Sequence, residues 1–142
     1  MKVRANELRI GNYVKVNGIY NGEVKRFERF NDDLSVMFFS DANELGKGEY
    51  LTNIEPIPLT EEWLLKLRSR ESLPVNYKNI YIMLDRFLLT YQASYGFWYV
   101  YDFSGEEMLY ITKVEFVHEW QNVYFALNGE ELTLTEHPRP AS

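Results

Sequence analysis

Aromatic side chains recur at every second position between residues 95 and 103, and this alternation constrains the fold more than any other feature. The alternating positions are Tyr95, Phe97, Tyr99, Tyr101 and Phe103, with Trp98 and Val100 between them. A period of two is typical of a β-strand, and here both of its faces carry apolar groups. Such a strand needs neighbours, so residues 76–112 are predicted to form an antiparallel meander. Its turns are expected at Asp85-Arg86 and Ser104-Gly105.

A helical spacing follows that meander, and it predicts one amphipathic helix over residues 113–128. Thr112 and Glu115 fit a capping box, and Ile111 with Phe116 fits a hydrophobic staple. Gly129 supplies the left-handed residue that ends many helices. The predicted apolar stripe consists of Phe116, Val117, Trp120, Val123, Tyr124 and Leu127. We expect it to direct Trp120 and Tyr124 onto the aromatic sheet.

Residues 8–58 form a string of short apolar stretches separated by turn residues, which predicts five short strands. Asn17-Gly18 indicates a hairpin, and the mixed parity of apolar residues in 22–30 predicts a bent or bulged strand. Leu34, Val36 and Phe38 alternate as in a strand with one buried face. Five strands in about fifty residues favour a small barrel.

The predicted fold class is α+β and mainly β. Residues 1–58 form the small barrel, residues 59–72 a short helix capped by Thr60 and a linker, and residues 73–135 the meander with its helix. Residues 136–142 contain Pro138 and Pro140 and are predicted to be a disordered tail.

Composition excludes several classes of site. The chain has no cysteine, so disulfides and thiolate metal sites are excluded. No signal peptide and no apolar run long enough for a membrane span is recognised, which predicts a cytoplasmic bacterial protein without a membrane partner.

The net charge of −6 is distributed unevenly. Residues 1–30 carry +4 and the remaining residues carry −10. Lys25, Arg26 and Arg29, interleaved with Phe27 and Phe30, are therefore candidate nucleic-acid contacts beside an aromatic platform. The alternative is a solvated basic face on a strand whose aromatic residues belong to the core.

Candidate catalytic groups are few, so we predict no enzyme, no metal site and no cofactor. His118 lies on the predicted helix away from Trp120 and Tyr124, where a structural or solvent-facing role is expected. Its neighbours Glu115 and Glu119 make a poor metal set, because only Glu115 shares its helix face. The other histidine, His137, lies in the predicted tail.

The aromatic strand is a second candidate for binding, because tyrosine and tryptophan are enriched at protein interfaces. The candidate interface residues are Tyr95, Phe97, Trp98, Tyr99 and Tyr101. The alternative is a core sheet that the helix covers on one face. Both interpretations stay open at the level of the sequence.

Several segments resemble a family of small uncharacterised proteins from phages, prophages and mobile elements of gut bacteria. The resemblance rests on NELRIGN at residues 6–12, IPLTEEWLLK at 57–66, and VH, QN, YFAL and GEEL between 117 and 132. It spans the chain but implies no chemistry. Separately, a spacing of glycine and valine resembles SH3-like barrels of the KOW or Tudor kind, at Gly11, Val14, Val16, Gly18, Gly22, Val24 and Val36.

Two functions remain in view. The first is a non-enzymatic accessory protein of a mobile element that acts by protein–protein contact or self-association, for example as a homodimer. The alternative is a nucleic-acid-binding protein that uses the basic N-terminal barrel.

Overall fold

Strands dominate the part of the chain that the structure, a computed structural model, describes: residues 3–39, 48–70, 72–103 and 105–134. This confirms an α+β fold that is mainly β. The predicted tail 136–142, with His137, and Ser104 of the predicted Ser104-Gly105 turn lie outside the described residues. The chain divides into two compact units: unit 1, residues 1–58 and 116–122, and unit 2, residues 59–115 and 123–142.

Unit 1 contains five strands in one antiparallel order, β4-β3-β2-β1-β5. They are β1 (Tyr13–Val16), β2 (Glu23–Phe30), β3 (Val36–Phe39), β4 (Glu49–Tyr50) and β5 (Ile54–Glu55). Short 3-10 helices occupy Ala5–Glu7, Gly18–Tyr20 and Leu51–Asn53. The buried core of the unit consists of Val3, Val14, Val16, Phe27, Met37, Phe39 and Ile54.

Two local predictions for unit 1 are confirmed with changes of detail. β2 is bulged, because its register with β3 shifts between Phe27 and Arg29. β1 and β2 form a hairpin, but a 3-10 turn through Gly18 joins them instead of a two-residue loop. No pairing of β4 with β5 closes the sheet among the described residues, so the SH3-like barrel stays a prediction.

The predicted buried face of the third strand is wrong. Met37 and Phe39 are buried, whereas Val36 and Phe38 are only half-buried and Leu34 is exposed. Leu34 has a φ of 62° and belongs to the turn that precedes β3. The predicted alternation started at Leu34, which lies outside the strand. Neighbouring residues of a strand point to opposite faces, so the buried face carries Met37 and Phe39 instead of Val36 and Phe38.

Unit 2 contains a second antiparallel sheet in the order β11-β10-β9-β8-β7. Its strands are β7 (Val75–Tyr77), β8 (Tyr81–Leu84), β9 (Phe87–Gln92), β10 (Phe97–Asp102) and β11 (Leu109–Val114). The Asp85-Arg86 hairpin is confirmed, with Leu84 paired to Phe87 and a φ of 56° at Asp85. One face of this sheet, the inner face, is buried and carries Ile82, Leu84, Phe87, Leu89, Trp98, Val100 and Val114.

A short helix, α1 (Glu61–Lys66), precedes that sheet in the sequence. The amide of Trp63 donates to the Thr60 hydroxyl at 3.2 Å, which confirms the predicted cap. The predicted linker begins with a strand: β6 (Leu67–Arg68) pairs with β12 (Thr133–Leu134). Leu64 and Leu67 are buried, so this segment adds to the core of unit 2.

The amphipathic helix is α2 (Val117–Asn128), and its predicted start at residue 113 is wrong. Thr112 and Val114 belong to β11, so neither the capping box nor the staple forms there. Instead, the Phe116 amide donates to Glu119 Oε1 at 3.0 Å, and the Val117 amide donates to the Ile57 carbonyl at 2.8 Å. Gly129, with a φ of 73°, follows the last helical residue as predicted.

The buried positions of α2 also differ from the predicted stripe. Val117, Trp120 and Tyr124 are buried as expected, but Leu127 is 41% exposed. Residues 116–122 group with unit 1 and residues from 123 onward with unit 2. Tyr124 meets Phe87 of the inner face, with ring centroids 5.5 Å apart. No helix among the described residues is long and apolar enough to cross a membrane.

Candidate functional site

The second face of the unit 2 sheet, here called the outer face, is lined by aromatic and apolar side chains. Its twelve positions are Val75, Tyr77, Tyr81, Met83, Leu88, Thr90, Gln92, Phe97, Tyr99, Tyr101, Tyr110 and Lys113. Cross-strand partners point to the same side of a sheet, so the register and the alternation assign these residues to one face. Nine of the twelve are aromatic or aliphatic, and Lys113 is the one charged residue among them.

The outer face is accessible, in contrast to the inner face. Tyr110 is 55% exposed and Tyr77 43%, and of the twelve positions only Leu88 is buried. Since the inner face already supplies the core of the unit, these outer aromatic groups are not needed for it. A group of half-exposed aromatic residues of this kind is typical of an interaction surface.

Ring contacts organise the outer face into pairs. Tyr77 stacks on Tyr81 with centroids 5.0 Å apart and an interplanar angle of 22°. Tyr110 contacts both Tyr99 and Tyr101, at 6.0 and 5.7 Å. These contacts hold the rings in place before any partner binds, so less side-chain entropy is lost on docking.

Lys113 is the cationic group of this surface. Its Nζ lies 4.5 Å from the centroid of the Phe97 ring, a cation–π geometry. Lys113 stands on β11, at one edge of the sheet, whereas the Tyr77–Tyr81 stack stands at the opposite edge. Lys113 and the Tyr77–Tyr81 stack therefore lie on opposite sides of β9, while Tyr99, Tyr101 and Tyr110 lie on the side of Lys113.

The predicted interface residues lie in three different places. Phe97, Tyr99 and Tyr101 lie on the outer face. Trp98 does not: it is 8% exposed on the inner face, and its indole N–H donates to the Leu59 carbonyl at 2.7 Å. Tyr95 is 69% exposed but lies in the turn between β9 and β10.

Sequence reasoning missed the members that other strands contribute to this face. Tyr77, Tyr81 and Tyr110 lie on three strands, and only the pairing register brings them to the same side as Tyr99. The two-residue spacings 75/77 and 81/83 were available as a signal. The bulge between β10 and β11, where the register shifts after Val100, gave no signal in the sequence.

Comparisons with known proteins do not identify the chain. No model of a protein family, no curated protein and no solved structure matches it. The evidence for function therefore lies in the surface itself.

The basic residues of β2 are placed differently from one another. Lys25 is 8% exposed, and its Nζ lies 3.1 Å from Glu23 Oε2. Arg26 lies over the Tyr13 ring at 5.8 Å and is half-buried. Arg29 is exposed, with its guanidinium 4.0 Å from the centroid of the Phe38 ring. Lys25 is thus paired within the chain, and its burial leaves little of it for a phosphate contact.

The positive charge of residues 1–30 is offset within unit 1. The residues of this unit carry eight Lys and Arg against ten Asp and Glu, a net charge of −2. Two of the local ion pairs are Lys15 with Glu55 at 3.9 Å and Arg4 with Glu7 at 3.1 Å. A phosphate-binding face usually shows an uncompensated excess of cations, so this arrangement gives nucleic-acid binding little support.

His118 is buried, at 2% exposure, so of the two roles expected from the sequence the burial fits the structural one and not the solvent-facing one. Its Nε2 lies 3.6 Å from Glu7 Oε2, and its ring stacks on Phe116 with centroids 6.0 Å apart. Burial lowers the pKa of His118 below its usual value, and the carboxylates of Glu119 and Glu7 oppose that shift without cancelling it. Among the described residues no three His, Asp or Glu side chains form a possible metal site.

His118 belongs to a group of hydrogen-bonded polar residues that we call the polar cluster. It consists of Glu7, Arg9, Asn12, His118, Gln121 and Asn122. Asn12 Nδ2 donates to Asn122 Oδ1 at 2.8 Å, and Asn122 Nδ2 donates to the Glu7 carbonyl at 2.9 Å. All six residues fall in the segments on which the family resemblance rests, and their bonds join residues 118–122 to the N-terminal loop, all within unit 1. These hydrogen bonds give the polar cluster a role in the folding of unit 1.

We expect the free energy of unfolding to decrease as the pH falls below about 6.5, the ordinary pKa of histidine. The unfolded chain then takes up a proton that folded His118 resists, so stability is highest above that pH and is lost toward the lower folded pKa. His118→Met should flatten this part of the profile. Urea unfolding between pH 8 and 5 measures it, and equal slopes in both proteins would contradict the assignment.

The matched control is Glu49→Gln. Burial opposes ionisation of Glu49, but the hydrogen bonds from Asn53 and from the amides of Ile19 and Tyr50 together lower its pKa below 4.5. Its contribution to stability is present above about pH 4.5 and lost below it. Glu49→Gln should therefore change the pH dependence of the unfolding free energy below about pH 4.5 and leave its slope near pH 6 unchanged.

Proposed function

We propose that this chain is a non-enzymatic accessory protein that acts by protein–protein contact through the outer face of the unit 2 sheet. One observation carries the proposal: nine of twelve positions on an accessible sheet face are aromatic or aliphatic, and one is charged. An isolated domain gains nothing from exposing such a surface, because it promotes aggregation.

The size of the face suits a docking surface. Five strands about 4.8 Å apart, with the longer ones extending four to six residues at about 3.4 Å each, give it roughly 400 Å². The largest apolar patch on a typical monomer is about 300–600 Å² and is often functional. Tyrosine adds a hydroxyl to each ring, so the face can stay hydrated when it is free and still bury area when it is bound.

The resemblance to mobile-element proteins fits an accessory role of this kind, and that membership stays a prediction. Nucleic-acid binding through β2 is less favoured, because Lys25 is buried and paired and because unit 1 has a net charge of −2. The outer face carries a single cation, so a polyanion would find few partners there.

The proposal can be tested by placing a photoreactive amino acid, p-benzoylphenylalanine, at Tyr101 in the native host. The control is the same replacement at Tyr95, which is more exposed but lies in the β9–β10 turn. We expect protein adducts at position 101 in clear excess over position 95. Equal yields at the two positions, or adducts with nucleic acid alone, would overturn the proposal.

A further inference from the structure

We infer that the protein that docks on the outer face is a second copy of this chain, related by a two-fold axis parallel to β9. The inference rests on the proposed function and names its partner. It is carried by the symmetry of the face: Lys113 and the Tyr77–Tyr81 stack stand at equal distances on either side of β9, and the other positions related in this way are aromatic or apolar on both sides.

The strand order sets this geometry. β9 is the middle strand of the sheet, with β10 and β11 on one side and β8 and β7 on the other. A two-fold axis that lies between two stacked sheets and runs along β9 places β11 of one copy over β7 of the other. It places β10 over β8 in the same way. Aligned packing of this kind is a common way for sheets to stack.

The first cross-strand row is complementary under that rotation. The register pairs Lys113 with Tyr99, Tyr99 with Thr90, and Tyr81 with Tyr77; continuing the β8–β9 pairing by one residue sets Tyr81 opposite Thr90. The rotation brings Lys113 of each copy over the stacked Tyr77–Tyr81 rings of the other. A lysine over tyrosine rings is a favourable cation–π contact, and it forms twice. Thr90 stands on the axis.

The second row is apolar throughout. It runs from Tyr110 through Tyr101, Leu88 and Met83 to Val75. The same rotation sets Tyr101 against Met83 and Tyr110 against Val75, and it leaves Leu88 on the axis. Thioether–aromatic and aliphatic contacts of this kind bury area without unpaired polar groups.

The other orientations are less favourable. A two-fold axis perpendicular to the strands would stack β11 on β11 and bring the two Lys113 ammonium groups to the same edge. Pairing through the free edge of β11 is disfavoured by the bulge opposite Val100 and Tyr101 and by Lys113 itself. The axis along β9 is therefore favoured, because it keeps the two Lys113 ammonium groups apart and sets each over tyrosine rings.

Light scattering and sedimentation of the purified chain test the inference. Wild type should have twice the 16.9 kDa mass of one chain. Thr90→Arg should be monomeric, because each copy then sets an arginine against the same residue of the other on the axis. Tyr95→Arg, in the turn, should remain dimeric.

Lys113→Glu is a second variant, on an exposed side chain. Losing two exposed cation–π contacts should weaken the dimer about 5- to 30-fold. Lys15→Glu in unit 1 is the charge-matched control and should leave the dimerisation constant unchanged. A strictly monomeric wild type, or equal effects of both substitutions, would overturn the inference.

Cysteine chemistry tests the orientation, because the chain contains no cysteine. Lys113→Cys and Tyr77→Cys should be joined by a short bismaleimide when the two variants are mixed, and neither variant should crosslink alone. Self-crosslinking of Lys113→Cys would overturn the axis. If the chain is monomeric and the photoreactive group at position 101 forms adducts with another protein, the homodimer is contradicted and the proposed docking function is still supported.

Discussion

Replacing Gln121 by alanine should lower the free energy of unfolding by about 3–5 kcal/mol. Gln121 is fully buried on α2, where its Oε1 accepts from the Tyr13 amide at 2.9 Å. Its Nε2 donates to the Gly11 carbonyl at 3.0 Å. The substitution leaves two backbone groups without these partners, each at about 1–3 kcal/mol, and adds a cavity. Denaturant unfolding measures the loss.

Two further variants separate hydrogen bonding from volume. Gln121→Met keeps most of the volume and removes the polar atoms, so it should still cost about 2–4 kcal/mol. Gln92→Ala, at an exposed end of β9, should change stability by less than about 0.5 kcal/mol. A Gln121→Met variant as stable as wild type would show that packing, and not the hydrogen bonds, holds the helix in unit 1.

Local signals in the sequence located most elements. Thr60 and Gly129 mark helix ends through their own backbone chemistry, and Asp85 adopts the positive φ of a tight hairpin. Such features depend on a few consecutive residues, so one sequence is enough to find them.

The start of α2 is determined by residues that are distant in the sequence, so local signals did not locate it. The Val117 amide is satisfied by the carbonyl of Ile57, which is distant in sequence, and Phe116 bridges to Pro58. The preceding residues then continue as strand β11, although Thr112 and Glu115 have the spacing of a capping box. Tertiary pairing overrode a favourable local pattern.

The polar cluster could not be predicted for the same reason. Asn12 and Asn122 are 110 positions apart, yet their side chains share a hydrogen bond. A histidine and a glutamine outside the apolar stripe are normally placed in solvent, because burial requires partners that helical periodicity does not reveal. His118 and Gln121 therefore look exposed in sequence and are buried in the fold.

Only one strand of the outer face could be predicted from the sequence. The alternation through Phe97, Tyr99 and Tyr101 fixed one strand of it, but not which parity faces the core. Trp98 decides that, because its indole N–H donates to a carbonyl on the inner side. The remaining members required the strand register, which hairpin lengths and a bulge determine together.

Gly18→Ala should cost about 2–4 kcal/mol of folding free energy. Gly18 has a φ of 67°, and a Cβ there would lie 2.1 Å from Glu49 Oε2. That carboxylate is only 6% exposed and accepts bonds from the Ile19 amide at 2.9 Å and from Asn53 at 2.9 Å. The methyl group must displace it, so these bonds are weakened and the lowered pKa of Glu49 should rise.

Gly96 offers the matched comparison, because its φ is 74° and a Cβ there meets nothing within 4 Å. Gly96→Ala should therefore show the backbone strain alone, about 1–2 kcal/mol. In a Glu49→Ala background the cost of Gly18→Ala should fall to that value, since the carboxylate is gone. Thermal unfolding of wild type, the three single variants and the double variant, with NMR titration of Glu49 in the proteins that keep it, measures both effects. An unchanged cost in that background would place the strain in the backbone of the turn and not in the contact with Glu49.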